Sequence, residues 1–420
     1  MHVWQEGSTT EGKNRTRVVS KPTGPVLVEQ TRTIMASEID IHLAVPPDRA
    51  AAATRAMEAC FSWLEEVDAR LTRFQSESEL CRLNAASGSW RAVSDMLFTV
   101  LEQSLAAAKA SDGLFDPTLL SLLEALGYDR DYKAMAQRGA RHDIQVAPVE
   151  WRVAHRSPLT GAWRRIQLDK RHRRVRLPLG ARLDFGGIAK GWAADVALER
   201  FFAGFENVLV NLGGDMRVRG GRGDGEPWPV GIGSSSTLAQ QPGYWQSSGT
   251  VVTLGHGGLA TSGAADRWWY QAGQLRHHLL DPRTGQPARV WIATNNAPNA
   301  NNANDANDAS EDSNEPQHGA QDDMLIAAAT AFAPTAAHAE VAAKVALLRR
   351  FPAALRLVEA AWETWKREHA AHGAASARIA PYGDAGVALL LTLETGEVVY
   401  SANLEEYLTM IGGGGDVWLS

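Results

Sequence analysis

Short strand-like segments, many of them separated by only a few turn residues, run through most of the 420-residue chain. A few longer helical patterns interrupt them, without the regular alternation that βαβ units and a parallel sheet would require. Close spacing of strands favours hairpins, in which neighbouring strands pair antiparallel. We therefore predict an α+β fold with mixed, largely antiparallel sheets and packed helices.

The apolar spacing and the end signals predict three early helices. The first starts after Pro46-Pro47-Asp48 and runs to about Leu71, and the others cover residues 94–110 and 188–202. Strands are predicted over residues 39–45, 164–169, 173–177, 207–212, 229–232, 250–254 and 277–280. A strand at 325–333, a helix at 336–348 and a return to the sheet over 385–408 complete the pattern.

An Asn- and Asp-rich stretch interrupts the chain. Residues 295–323 hold seven acidic residues and no Lys or Arg, so the rest of the chain is close to neutral although the net charge is −6. So few apolar residues cannot offset the entropy lost on ordering. We expect a disordered insertion at 291–323, a single domain formed by 31–290 and 324–420, and a flexible leader at 1–30.

Charge, cysteine count and hydropathy exclude several classes of protein. The one dense basic run, residues 170–176, is short and is interpreted as a solvated hairpin rather than a nucleic-acid site. Cys60 and Cys81 are too few for a disulfide framework. No apolar run is long enough for a membrane span and no signal peptide is recognisable, so we expect a cytoplasmic protein.

The sequence DFGGIAKG at residues 184–191 lies between a predicted strand and a predicted helix. Its two glycines allow a ligand to approach the backbone closely, and the start of a helix attracts an anion such as a pyrophosphate. Lys190 lies one turn into that helix, within reach of such an anion. Taken alone, the motif is also typical of an ordinary turn before a helix.

The sequence HHLLDPRTG at residues 277–285 ends a predicted strand in a tight turn. A histidine beside such a turn can act as a general base near neutral pH, or can simply be a polar residue on a strand. Three shorter motifs, GLFDPT at 113–118, NLGGD at 211–215 and ATSG at 260–263, are each explicable as turns. In the first of them, Phe115 offers a stacking face and Asp116 an acceptor at a helix start.

Read in order, these motifs resemble the ApbE family of flavin transferases, which move FMN from FAD onto a Thr or Ser of an acceptor protein. The resemblance begins with TIMAS at 33–37, continues through TRFQSESEL at 72–80 and Leu83-Asn84, and includes all five motifs above. It implies an ApbE-like architecture related to the T-fold, FAD as substrate or bound ligand, and an acceptor protein as partner.

The resemblance also implies roles for individual residues. The acceptor hydroxyl would attack the phosphorus on the FMN side of FAD and expel AMP, with Mg²⁺ on the pyrophosphate supplying charge stabilisation. His278 would be the base that activates the hydroxyl. The residues expected to contact FAD are Met35 and Phe74 at the flavin, Leu114, Phe115 and Asp116 at the nucleotide, Asp184 and Lys190 at the adenosine and pyrophosphate, and Leu280 beside His278.

The expected metal site departs from the family pattern. Family members carry an Asp and, four residues later, a Thr on a late helix, whereas this chain has Glu340 and Lys344. Residues four apart share a helix face, so both side chains would point into the site. A glutamate is a plausible oxygen ligand for Mg²⁺, but an ammonium group cannot be a ligand.

Three interpretations of this change remain open. The Lys344 ammonium replaces the metal, or Mg²⁺ still binds through Glu340 and the Gly187 carbonyl while Lys344 swings out, or the chain binds FAD without turning it over. An exposed ion pair with no role at a metal is the simplest alternative for the two side chains. A pyrophosphatase, in which water takes the place of the acceptor hydroxyl, is a further enzymatic alternative.

Overall fold

The structure is a computed structural model that describes residues 15–20, 24–131, 160–232, 250–264, 267–271, 273–290, 325–369, 386–393 and 398–405. The predicted insertion at 291–323 lies outside the described residues. The helices are α1 (Ala50–Leu71), α2 (Glu79–Ala85), α3 (Asp95–Ala110), α4 (Leu120–Ala125), α5 (Ala189–Phe201), α6 (Ala336–Arg349) and α7 (Ala353–His369).

The strands are short, as predicted, and most are joined by tight turns. They are β1 (Arg15–Ser20), β2 (Val26–Ile34), β3 (Ser37–Val45), β4 (Trp90–Ala92), β5 (Gln167–Asp169), β6 (Arg174–Arg176), β7 (Asn207–Leu212), β8 (Asp215–Arg219), β9 (Trp228–Ile232), β10 (Thr250–Leu254), β11 (His256–Gly263), β12 (Trp268–Gln271), β13 (Gln274–His277), β14 (Leu280–Asp281), β15 (Gln286–Pro287), β16 (Ile326–Ala333), β17 (Ala388–Leu393) and β18 (Val398–Tyr400).

A nine-stranded sheet with the order β1-β2-β3-β7-β8-β11-β16-β17-β18 forms the frame of the fold. Every neighbouring pair in it is antiparallel. Buried residues alternate along β2, as expected for a strand with one face against a core. The predicted α+β fold with largely antiparallel sheets is confirmed.

Helices α1, α5 and α6 pack against the sheet and form the main apolar core. The apolar face of α1 includes Met57, Cys60 and Leu64, all fully buried. Helices α5 and α6 cross closely at Gly191, where a Cβ would lie 2.5 Å from the carbonyl oxygen of Ala336. Only glycine permits this approach, which brings the beginnings of the two helices together.

Several predicted boundaries are wrong. The ordered fold starts before Thr31, because β2 begins at Val26 and pairs with β1 as well as with β3. The predicted strand at 164–169 is shorter, since a 3-10 turn occupies Ala162–Arg165. The predicted strand at 277–280 is broken: the amide of Leu279 donates to His277 Nδ1 at 3.2 Å and bends the chain between β13 and β14.

The ATSG motif is also not a turn, because it lies within β11 between β8 and β16. The Thr261 hydroxyl faces the neighbouring strand β16, where Thr261 Oγ1 and Thr330 Oγ1 are 2.8 Å apart. In contrast, the glycines of NLGGD do form the turn that joins β7 to β8. Among the described residues, no helix has both the length and the apolar character needed to cross a membrane.

Candidate functional site

A cavity of about 430 Å³ opens where the β2–β3 turn, the segment after α1, the GLFDPT segment, the start of α5, the segment after β13 and helix α6 meet. Of the predicted site residues, Glu340 is buried beside Lys344 without lining this cavity. All the others contribute to its wall: Met35, Phe74, Leu114, Phe115, Asp116, Asp184, Gly187, Lys190, His278, Leu280 and Lys344.

The β2–β3 turn presents Met35 to the cavity in an unusual backbone conformation. Met35 and Ala36 have φ values of 54° and 56°, which match the two-residue turn that suits the twist of a hairpin. For residues other than glycine, this left-handed conformation costs about 1–2 kcal/mol per residue. The Asp68 carboxylate accepts the Met35 amide at 3.3 Å and helps to hold the turn.

The start of α5 is held against the GLFDPT segment. The amide of Asp184 donates to the Pro117 carbonyl at 2.9 Å, and the Asp184 carboxylate accepts the Gly186 amide at 2.9 Å. A Cβ on Gly187 would lie 2.9 Å from Phe115 Cε2 and 3.1 Å from Lys344 Cε. The glycine therefore allows the aromatic ring, the helix start and the lysine stem to meet at one place.

Asp116 has a structural role in the cavity wall. One carboxylate oxygen accepts the Thr118 amide at 2.7 Å, and the other accepts the Gly161 amide at 2.8 Å. Burial raises the pKa of this carboxyl, while these hydrogen bonds act in the opposite direction. The carboxylate ties two segments together, and its predicted contact with the nucleotide stays a prediction.

Two lysines of the cavity wall and two buried carboxylates behind them form a cluster, which we call the lysine–carboxylate cluster: Lys190, Asp215, Glu340 and Lys344. The Lys190 ammonium is paired with Asp215, and Lys344 Nζ lies 3.4 Å from Glu340 Oε1. The second Glu340 oxygen accepts the Gly191 amide at 2.9 Å. The Lys190–Asp215 pair links the start of α5 to β8, and the hydrogen bond from the Gly191 amide to Glu340 links it to α6.

Burial and mutual charge set the protonation of the cluster. Burial raises the pKa of Glu340, and the Asp215 charge raises it further, whereas the two ammonium groups lower it. Burial disfavours the charged form of Lys190, but the carboxylates of Asp215 and Glu340 outweigh it and raise its pKa. The two ammonium groups thus oppose, without reversing, the rise in the pKa of Glu340 that burial and the Asp215 charge cause.

As they lie, these residues do not fit a Mg²⁺ ion. Both oxygens of Glu340 are engaged, one by an amide and one by an ammonium group, and Lys344 packs against Gly187. Within the described ranges, no three His, Cys, Asp or Glu side chains come together in a way that could hold a metal. A hard divalent cation needs several free oxygen ligands, which this arrangement does not provide.

His278 lies in the bend between β13 and β14 and lines the cavity. Its Nδ1 is 3.4 Å from the Arg267 carbonyl oxygen, which suits a tautomer with the proton on Nδ1 and a lone pair on Nε2. Burial lowers the pKa of His278 well below its usual value, and the charge of Arg267 lowers it further. The ring is therefore neutral at pH 7, with the lone pair of Nε2 available for a hydrogen bond.

A sequence model of the ApbE family matches residues 35–305, which is well over half of the chain. The chain belongs to the ApbE family. A relative from Treponema pallidum named FAD:protein FMN transferase is 30% identical over 251 residues, covering 56% of this chain and 64% of the relative. A Vibrio cholerae protein of the same name is 29% identical over 227 residues, covering 53% and 62%. The matched part spans less than two thirds of either relative.

Solved structures of ApbE proteins have the same fold. The apo form of Pseudomonas stutzeri flavinyl transferase ApbE superposes with a TM-score of 0.64 at 19% identity, covering 93% of this chain and 99% of that one. The ApbE protein of Thermotoga maritima gives 0.62 at 20% identity, covering 91% and 99%. At such low identity, the likeness is evidence for the fold alone.

The ApbE motifs did not identify every polar residue at the cavity. Arg73 and Tyr128 lie in its wall, where the Arg73 guanidinium stacks on Phe74 at 4.2 Å and on Tyr128 at 4.5 Å from the ring centres. Arg267 lines it as well. Arg73 belongs to the TRFQSESEL motif and Asp215 to the NLGGD motif, so the motifs contained both residues without showing their roles. No motif contained Tyr128 or Arg267.

Proposed function

We propose that this protein binds FAD in the cavity and transfers the FMN moiety to a Thr or Ser hydroxyl of an acceptor protein, with release of AMP. The observation that carries the proposal is the position of His278, a neutral histidine in the same cavity wall as the start of α5 and Lys190. Membership of the ApbE family and relatives named FAD:protein FMN transferase support it.

The cavity wall suits the flavin and the pyrophosphate of FAD. Met35 and Phe74 offer apolar and aromatic surface for a flavin ring, and Leu114 and Phe115 offer such surface for the nucleotide. Lys190, Lys344 and Arg267 offer positive charge, and the start of α5 adds the positive end of a helix dipole. These groups favour a pyrophosphate.

In the proposed reaction, the acceptor hydroxyl gives its proton to His278 Nε2 as its oxygen attacks the phosphorus on the FMN side. The new bond joins that oxygen to the FMN phosphorus. The bond from this phosphorus to the bridging oxygen breaks, and AMP leaves with the electron pair. The Arg267 carbonyl keeps the histidine in the required tautomer. The cations around the cavity stabilise negative charge that develops on the phosphates.

The test is incubation of the purified chain with FAD, alone and with an extract of the source cells. Flavin fluorescence quenching reports FAD binding, chromatography reports AMP, and in-gel flavin fluorescence after denaturation reports covalent transfer. We expect binding, AMP release that increases with the extract, and a fluorescent protein band. AMP release without a labelled band favours the pyrophosphatase alternative, and binding without AMP favours a non-catalytic FAD-binding protein.

A further inference from the structure

We propose that the Lys344 ammonium takes the place of a divalent metal beside the FAD pyrophosphate, so that FAD binding by this chain does not depend on Mg²⁺. The inference rests on the proposed function. It is carried by the lysine–carboxylate cluster, in which a lysine is already paired with the acidic residue that would otherwise face a metal.

The position of Lys344 fits this role. Its side chain runs along the start of α5, where a Cβ on Gly187 would lie 3.1 Å from Lys344 Cε and 3.3 Å from Cδ. The side chain retains 22% of its exposure and lines the cavity, whereas Glu340 retains 2%. The buried carboxylate therefore anchors the lysine, and the lysine is the member of the pair that a ligand can reach.

The ion pairs of the cluster favour the Lys344 ammonium over a metal ion as the cation of this site. The carboxylates of Asp215 and Glu340 are matched by the ammonium groups of Lys190 and Lys344. Because the Gly191 amide holds one Glu340 oxygen and Lys344 holds the other, a Mg²⁺ ion would have to displace Lys344 to bind Glu340.

An ammonium group can perform the electrostatic part of the task. It has three N–H donors and needs no fixed coordination geometry, so donors remain for phosphate oxygens while one faces Glu340. In the transfer step, it offsets the charge on the departing AMP phosphate and keeps its own proton. The acceptor's proton still goes to His278, and the bonds that form and break are unchanged.

The primary test uses the wild-type chain without any substitution. FAD is titrated by fluorescence quenching in excess EDTA and in millimolar MgCl₂, and Mn²⁺ binding is followed from the free-ion electron paramagnetic resonance signal with and without FAD. We expect the same FAD affinity in both buffers, and no loss of free Mn²⁺ signal beyond that caused by FAD alone.

Variants at position 344 give the complementary test. For Lys344→Thr, FAD affinity in EDTA should fall roughly tenfold or more, because a charge-assisted hydrogen bond is lost. Mg²⁺ should restore much of this loss, and Mn²⁺ should now bind in the presence of FAD. Lys344→Arg keeps the positive charge and should remain independent of Mg²⁺. Lys170→Thr removes an exposed lysine and serves as the matched control.

The outcomes distinguish this inference from the proposed function. If wild-type FAD affinity falls roughly tenfold in EDTA and returns with Mg²⁺, the lysine does not replace the metal, while the function stands. If the wild type binds no FAD in either buffer, the proposed function fails and the inference fails with it. Equal FAD affinity in both buffers supports the lysine as the resident cation whether or not AMP is released.

Discussion

Gly187 faces Phe115 so closely that a Cβ at residue 187 would lie 2.9 Å from Phe115 Cε2. This contact joins the start of α5 to the GLFDPT segment at the cavity. The Lys344 stem closes the same space from α6, with Cε 3.1 Å from that Cβ position. Residue 187 thus has no room for a side chain unless one of its neighbours moves.

We expect Gly187→Ala to lower the free energy of unfolding by about 1–3 kcal/mol and to weaken FAD binding, because the ring or the lysine must shift. Denaturant unfolding and FAD titration measure the two effects. Gly204→Ala is the control, since the nearest atom to its added Cβ, Arg49 Nη2, lies at 3.9 Å. The same unfolding free energy and FAD affinity in both variants would show that Phe115 and Lys344 can move to admit the methyl group without loss of stability.

We expect replacement of Arg73 to destabilise the protein even when the new residue is lysine. Its side chain is 4% exposed, stacks on two aromatic rings, and donates from Nη1 to the Tyr128 carbonyl at 2.8 Å. A lysine keeps the charge but loses the planar stacking and the fork of donors. Arg73→Lys should therefore cost about 2 kcal/mol of unfolding free energy.

Urea unfolding measures the loss at Arg73, with Arg70→Lys as the matched control. Arg70 is 42% exposed and pairs with Glu66 on the same helix, so its replacement should change the unfolding free energy by about 0.5 kcal/mol or less. A loss at Arg73 no greater than at Arg70 would mean that the stacked guanidinium contributes little.

Because His277 is buried in its neutral form, we expect the protein to lose stability in acid. Its Nε2 is 2.9 Å from the Ala288 carbonyl oxygen and its Nδ1 accepts the Leu279 amide, so the neutral ring is fully bonded. Burial lowers the pKa of His277 from 6.5 to about 4. As the pH falls, the unfolded chain binds the proton first, so stability decreases between about pH 6.5 and pH 4 and His277 has no such effect at higher pH.

The slope due to His277 should reach about 1.4 kcal/mol per pH unit. Urea unfolding across this pH range should therefore give a shallower dependence for His277→Gln than for the wild type. His172→Gln is the control, because His172 is 58% exposed on the surface. Burial raises the pKa of Asp195 to about 6, which opposes the trend equally in all three proteins. Parallel curves for the wild type and His277→Gln would contradict the assignment.

His278→Gln should separate chemistry from binding. The glutamine keeps a polar side chain at the cavity but cannot accept a proton, so AMP release should fall about 100- to 10,000-fold. FAD affinity should change little, because the positive groups around the cavity remain. Quantification of AMP at saturating FAD measures the effect, with His256→Gln, an exposed site outside the cavity, as control. Wild-type AMP release by His278→Gln would place the base elsewhere.

The sequence predicts most of the long helices but not all of them. Helices α1, α3, α5 and α6 match predicted helices, whereas α7, with 17 residues, was not predicted. Helices α2 and α4 span two turns or fewer, so no repeating apolar face develops. Strand β11 was missed because HGGLATSG is poor in strand-forming residues; its pairing with β8 and β16 determines its conformation.

The sequence motifs predicted which segments form the candidate site, but not the side-chain contacts between those segments. Their spacing of four residues placed Glu340 and Lys344 on one helix face, and in the structure the two side chains form an ion pair. The pairing of Lys190 with Asp215 depends on how α5 lies over the β7–β8 turn, which no local pattern encodes. The stacking of Arg73 on Tyr128 likewise joins segments that are distant in sequence.

The cavity draws its wall from segments that are far apart in the chain, since Met35 lies in the β2–β3 turn and Lys344 on α6. Such a cavity exists only after these distant segments have docked, and contacts between distant segments form slowly. A nucleotide that binds there recognises the complete tertiary structure and has no affinity for a partly folded chain. FAD bound there would therefore also stabilise the folded domain, by an amount that rises with the logarithm of one plus the ratio of its free concentration to its dissociation constant.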